Sequence, residues 1–217
     1  MLICGHYGCG KTNLSLNLAL DLAETGEPVT LVDLDIVNPY FRSSDYLALL
    51  EKRGVRLISP RYAHSTLDIP ALPAEIASTF ELPGRVLLDV GGDDAGATAL
   101  GRFSPFIRQL DYDMLYVVNK YRPLTGDSRS AAALLGEIEA ASRLKATGVV
   151  NNSHLMGDTS AETVLEALPY ARETAAELGL PLRYTTAPKA LAPQLGQVEN
   201  LYSVTVYVRT PWNPLSE

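Results

Sequence analysis

Short runs of consecutive apolar residues punctuate the chain, and longer stretches with helical spacing fill the gaps between them. The apolar runs at 2–4, 29–32, 55–58, 85–90, 114–119, 145–151 and 182–185 have strand length. Several are apolar at successive positions, as strands covered on both faces are. The helical stretches are clearest at 12–25, 128–144 and 159–178. In the second of these, Leu134, Leu135, Ile138 and Ala141 fall on one side of a helix, with Arg129, Glu137 and Glu139 elsewhere. Gly26, Gly54 and Gly179 follow helical stretches, where a left-handed cap is wanted. Strands alternating with helices predict right-handed crossovers and an α/β three-layer fold, a mostly parallel sheet with helices on both faces. No repeat, low-complexity tract or linker divides the sequence, so one domain over 1–217 is expected.

Two segments break the alternation. Residues 59–73, "SPRYAHSTLDIPALP", carry three prolines and read as an irregular surface loop. The segment 201–210, "LYSVTVYVRT", has period two, with Tyr202, Val204, Val206 and Val208 on one face and Ser203, Thr205 and Tyr207 on the other. That pattern predicts a half-exposed last strand, an antiparallel edge or an arm toward a partner, with a last strand simply covering the core as the favoured alternative.

Composition narrows the field. Hydrophobic residues are 47% and charged residues 20% of 217, an ordinary globular mixture. The formal charge of -7 and pI near 5.0 argue against broad or sequence-specific nucleic-acid binding. The opening apolar run ends at Gly5, unlike a signal peptide, and no stretch reaches the ~20 apolar residues of a membrane segment. Two cysteines, Cys4 and Cys9, make no disulfide framework. A cytoplasmic protein is the expectation.

The chemistry begins at "GHYGCGKTN". Gly5-x4-Gly10-Lys11-Thr12 matches G-x-x-x-x-G-K-[ST], with a strand before it and a helical pattern after it. Gly5, Gly8 and Gly10 let the backbone turn its N–H groups toward phosphate oxygens. The positive end of the following helix favours the same anion. Lys11 can reach the β- and γ-phosphates, and the Thr12 hydroxyl can ligate Mg²⁺. Acidic residues then appear at two strand ends, Asp33 and Asp35 in "LVDLDIVNP" and Asp89 in "LLDVGGDD". Carboxylates two apart on an extended chain share a side, facing the crevice above the sheet. Asp89 can hold the Mg²⁺ shell, and a following glycine can bring its N–H to a γ-phosphate.

This set, "GHYGCGKT", "VDLDIVNP" and "LLDVGGD", resembles the MinD/ParA-like group of P-loop ATPases over roughly the first 120 residues. The resemblance implies a three-layer P-loop NTPase fold with ATP and Mg²⁺ as ligands. It implies a metal environment of Thr12, Asp33 and Asp89, with Lys11 and Asp35 catalytic and Asp35 polarising the attacking water. Asp89 and Gly92 would form a second switch sensing the γ-phosphate. Nucleotide contacts are expected from Gly5, Tyr7, Gly8, Cys9, Gly10, Lys11, Thr12 and Asn13. A protein client and a homodimer are the partners such a switch implies. In one respect the loop departs: the group's cradle carries an extra lysine that reaches a partner's nucleotide, and no lysine precedes Lys11 here. His6 stands after the first glycine, either a donor to phosphate or partner or a structural residue.

The base is read from later strand ends. Guanine readers use N-K-x-D, but the chain has Asn119-Lys120-Tyr121-Arg122, without the aspartate. Asn151 and Asn152 end another strand, where an amide can pair with adenine or simply terminate the strand, and "TTAPKALAP" follows the last core strand. ATP is therefore expected, with Asn152 and Pro188 at the base. Cys9 could be a reactive thiol at a helix start or only a small side chain where nothing larger fits. His64 and His154 are isolated, and no transition metal is assigned. Asn38-Pro39-Tyr40-Phe41-Arg42 and Tyr62-Ala63-His64 could face a client or, for Tyr40 and Phe41, pack beneath the first switch, and Arg61 and His64 could serve as the lid of a kinase acceptor pocket. The leading expectation is a Mg²⁺-dependent ATP-hydrolysing switch acting on a protein client. The alternatives are a small-molecule kinase, a non-hydrolytic nucleotide-binding module and a GTP-dependent metallochaperone.

Overall fold

The computed structural model describes residues 1–35, 46–59, 74–92, 94–155 and 158–208, and the alternation of strands and helices runs through them. The strands are β1 (Leu2–Cys4), β2 (Val29–Leu34), β3 (Val55–Ile58), β4 (Arg85–Val90), β5 (Met114–Val118), β6 (Gly148–Asn151), β7 (Leu182–Pro188) and β8 (Leu201–Val204). The helices are α1 (Lys11–Ala23), α2 (Leu47–Lys52), α3 (Ala74–Thr79), α4 (Asp94–Gly101), α5 (Ser104–Ile107), α6 (Ser128–Ser142) and α7 (Ala161–Leu178). β6 starts later than the apolar run suggested, because its pairing with β5 begins only at Gly148 opposite Leu115. Residues 38–42, Tyr62 and His64, the client-facing candidates, and Arg61, the kinase-lid candidate, lie outside the described residues.

One eight-stranded sheet has the order β3-β2-β4-β1-β5-β6-β7-β8, and every neighbouring pair is parallel. The two faces follow from the pleat. Ile3, Leu31, Leu87, Leu115, Val117 and Val150 pack with Leu14, Leu16 and Leu20 of α1. Alternate strand residues, such as Val32, Leu88, Tyr116 and Val149, pack with α4, α6 and α7. Because β1 lies between β4 and β5, the connection from β1 leaves toward β2 while that from β4 returns to β5 on its other side. The carboxyl end of β1 is thus a topological switch point, where a parallel sheet leaves an open crevice.

The last strand corrects the sequence reading. β8 pairs parallel with β7, not antiparallel, from Thr185 opposite Leu201 to Pro188 opposite Val204. A 3-10 turn over Lys189–Gln194 and the loop after it carry the chain back to the start of the sheet, so β8 must run forward again. Leu195 and Val198 in that return pack on Val164 and Ala187.

After Val204 the backbone leaves the sheet and lies along α1. Thr205 N–H donates to Asn17 Oδ1 (2.8 Å), and Thr205 O accepts from Asn17 Nδ2 (2.9 Å) and Asn13 Nδ2 (3.1 Å). Tyr207 and Val208 N–H both donate to Asn13 Oδ1, at 2.8 and 3.1 Å. Asn13 and Asn17 are one helical turn apart, so their amides line one face and stand in for a neighbouring strand. Replacing Asn17 by alanine leaves Thr205 N–H without its acceptor. A loss of about 2 kcal/mol in urea unfolding at unchanged m value is expected, and an unaltered midpoint would show that the amide adds no stability.

Candidate functional site

The loop from Gly5 to Gly10 fills the crevice at the end of β1. Gly5 sits at φ 145°, and a Cβ there would lie 2.3 Å from the Val117 carbonyl oxygen of β5. Gly10 has a left-handed φ of 85° and caps α1, and its Cβ would lie 2.2 Å from Asn152 Nδ2. No L side chain fits either place. The first bond into α1 is Leu14 N–H to Gly10 O (3.1 Å). The N–H groups of Lys11, Thr12 and Asn13 therefore point out of the helix start, as an anion site requires. Asn13 can serve a phosphate only through that N–H, because its side chain is held by the 205–208 segment. His6 Nδ1 donates to Tyr7 O (2.9 Å), which gives the ring a bracing role in the loop. The Cys9 thiol is buried beside Thr125 Oγ1 (3.8 Å). Burial pushes its pKa up, with the Lys11 charge opposing, which favours the small-residue reading of Cys9 over a reactive thiol.

Three of the predicted groups converge at Lys11. Its Nζ donates to His6 O (3.0 Å) across the loop. Gly92, in the turn after β4, comes so close that a Cβ would lie 2.5 Å from Tyr7 N and 2.8 Å from Lys11 Nζ. Asp33 and Asp89 are partners in the β2–β4 register. By the pleat both face α1, the side that carries Thr12 and Ser15. Ser15 Oγ donates to Asp89 Oδ1 (3.2 Å), and the Thr12 hydroxyl is also hydrogen-bonded to Asp89. Asp33 Oδ1 accepts the Asp35 N–H (3.0 Å), and a Cβ on Gly91 would lie 3.3 Å from Asp35 Oδ1. Burial raises the Asp89 pKa to about 6. Lys11 and Thr12 pull it down, while Asp35 pushes it further up. A hydroxyl beside buried carboxylates is a hard oxygen donor set, which suits Mg²⁺ carried on a phosphate. Among the described residues no cluster of three or more His, Cys, Asp or Glu is placed to hold a metal by itself.

The wall beside the loop differs from the sequence reading. Asn152 is buried and its amide is engaged by protein: Nδ2 donates to Cys9 O (2.6 Å), and Oδ1 accepts from the Thr186 hydroxyl. In the structure the amide clamps the phosphate loop. His154 Nε2 also donates to Asn152 Oδ1 (3.1 Å), so Nδ1 is the bare nitrogen, buried and without a partner. Asn119 Oδ1 accepts from Tyr121 N–H (2.9 Å), and Asn119 Nδ2 donates to His154 O (3.3 Å), which ties the ends of β5 and β6 together. Pro188 ends β7, three strands from β1. Sequence reasoning missed two groups that reach the site. Ser15 could have been found as the residue one turn after Thr12 on the same helix face. Arg122, whose Nε donates to Gly8 O (2.9 Å), stands where the guanine-reading aspartate would be, and nothing local to it announces the contact.

No protein-family model matches the chain, and no curated protein is significantly similar to it. Solved structures are similar in fold. The cell division protein FtsY of Thermotoga maritima matches with TM-score 0.56 and 18% identity, over 86% of this chain and 60% of that one. The signal recognition particle 54 kDa protein of Aeropyrum pernix, solved in complex with GDP, matches with TM-score 0.56 and 19% identity, over 85% and 40%. The signal recognition particle receptor FtsY of Elizabethkingia anophelis, also in complex with GDP, gives 0.53 and 15%, over 85% and 56%. The chain thus spans roughly half the length of these proteins. These likenesses do not support the narrower MinD/ParA placement. They carry the architecture, and the chain has the three-layer α/β fold of P-loop nucleoside triphosphatases.

A pH test of the wall follows from His154. Burial first, with the Arg122 charge adding, lowers its pKa to about 4 from an ordinary 6.5. The unfolded chain therefore binds the proton more readily, and His154 makes the protein lose stability as pH falls from about 6.5 through 4. Between pH 7.5 and 5 a His154→Gln variant should gain about 2 kcal/mol relative to wild type in urea unfolding. Equal pH slopes for the two proteins would show that the ring is not held neutral.

Proposed function

We propose that the chain is a Mg²⁺-dependent nucleoside triphosphatase that works as a conformational switch on a protein client, with ATP as its nucleotide. The observation that carries the reading is the convergence of the phosphate loop and the turn after β4 on Lys11, where Gly92 stands against Tyr7 N and Lys11 Nζ. In this reading the cradle N–H groups and Lys11 bind the β- and γ-phosphates. Thr12 and Asp89, with Asp33 behind them, hold Mg²⁺, which supplies charge neutralisation on the phosphate oxygens when bound. Asp35 orients and polarises the attacking water. Gly92 offers its N–H to the γ-phosphate, and loss of that group lets the turn after β4 withdraw from Lys11. Lys11 Nζ donates to His6 O (3.0 Å), a bond it would exchange for phosphate. The homodimer of the MinD/ParA-like group is not carried over, since the loop has no second lysine. Among the described residues no helix is long and apolar enough to cross a membrane.

Adenine is favoured by Arg122 at the position of the guanine-reading aspartate, because a guanidinium accepts no hydrogen bonds. GTP is the second reading, favoured by the two similar structures that contain GDP. Calorimetry with ATP and GTP in the presence of Mg²⁺ decides between them, and tighter binding of GTP would put guanine first. Lys11→Ala should abolish measurable binding. Asp35→Ala should bind as wild type and release phosphate about 100-fold more slowly. Phosphate release equal to wild type would remove Asp35 from the reaction, and transfer of phosphate to a small metabolite would make the protein a kinase.

A further inference from the structure

Arg122 is fixed by its backbone and aimed at the phosphate loop. The turn after β5 is closed by Arg122 N–H to Asn119 O (3.1 Å) and Thr125 N–H to Arg122 O (3.0 Å), and Pro123 then starts a 3-10 turn. The two preceding side chains leave toward α7, Lys120 Nζ to Glu166 O (3.0 Å) and the Tyr121 hydroxyl to Thr163 O (2.6 Å). Arg122 alone turns to the cradle. Its Nε donates to Gly8 O (2.9 Å), and its Cδ, Nε and Cζ lie 3.4 to 3.7 Å from where a Cβ on Gly8 would be. No carboxylate pairs with it among the described residues, and its terminal nitrogens make no hydrogen bond there. A half-buried guanidinium with four N–H donors unspent, on the loop that also carries Lys11, is a cation without an anion.

We propose that Arg122 binds an oxygen of the nucleotide polyphosphate through its terminal nitrogens, as a second cation supplied by the same chain. It occupies the functional place of the lysine that the loop lacks between Gly5 and Lys11. Its Nε bond to Gly8 O holds the guanidinium plane along the loop, so the arm is organised before nucleotide arrives. The same residue excludes an aspartate from the base-reading position, so phosphate affinity and base preference are coupled at one site. The proposal rests on the nucleotide reading above.

The test uses calorimetry of the full chain with Mg²⁺·ATP and with inorganic tripolyphosphate, which has no base, for wild type, Arg122→Gln and Arg122→Lys. Glutamine keeps a donor for Gly8 O without the charge, and lysine keeps the charge. The expected result is a loss of about tenfold or more for both ligands in Arg122→Gln. Arg122→Lys should lose less than about threefold, with the melting temperature of the nucleotide-free protein unchanged in both. Wild-type affinity in Arg122→Gln would make the arginine a brace for Gly8 only. Equal losses in both variants with a lowered melting temperature would have the same meaning. A wild-type protein that binds ATP, GTP and tripolyphosphate not at all would overturn the nucleotide reading itself, a result distinct from the failure of Arg122 alone.

Discussion

Glycines packed too tightly for any side chain set the geometry of the crevice. Gly5 lies against the Val117 carbonyl, Gly10 against the Asn152 amide and Gly92 against the Tyr7 backbone, each closer than any side-chain carbon would permit. The loop is therefore gripped from β5, from β6 and from the turn after β4, which are separate parts of one sheet. The grip is steric and hydrogen-bonded together, with Asn152 Nδ2 on Cys9 O, and it holds the N–H groups at the start of α1 in one direction. Such preorganisation favours an anion without a large reordering cost on binding.

The charges are arranged around that rigid loop at some expense of stability. Asp89 is buried with its pKa raised to about 6, and Asp35 nearby pushes it further in the same direction. Lys11 and the hydroxyls of Thr12 and Ser15 oppose the desolvation. Buried like charges cost free energy unless a cation or a ligand arrives, a condition found where binding rather than folding is served. On the other side of the loop Arg122, which pairs with no carboxylate among the described residues, is the complementary case. The 205–208 segment brings the end of the described chain to α1 through Asn13, which sits directly after Thr12. The start of α1 and the far edge of the sheet are thereby one hydrogen-bonded unit.

Much of this was legible from the sequence. The strand positions, the phosphate-loop motif and the convergence of the Asp33, Asp35 and Asp89 strand ends follow from apolar periodicity and motif spacing, which are local properties. The later start of β6 and the parallel direction of β8 were not legible, since pairing partners and return paths are set by nonlocal contacts. The hold of the Asn152 amide on the loop was not legible either. An amide at a strand end has the same sequence signature whichever acceptor it meets.

Asn13 shows the division most clearly. Its place after Gly-Lys-Thr determined that its N–H would open from the helix start toward the crevice, because helix geometry alone requires it. Only the tertiary structure decided that its side chain would instead bind backbone groups nearly two hundred residues later. The sequence by itself determined the strand and helix pattern, the cradle and the acidic strand ends, since these depend on neighbours within a turn or a pleat. The tertiary structure alone decided which distant groups meet the cradle, namely Asn152, Arg122 and Gly92, because those meetings depend on strand order and on packing distances that no local pattern encodes.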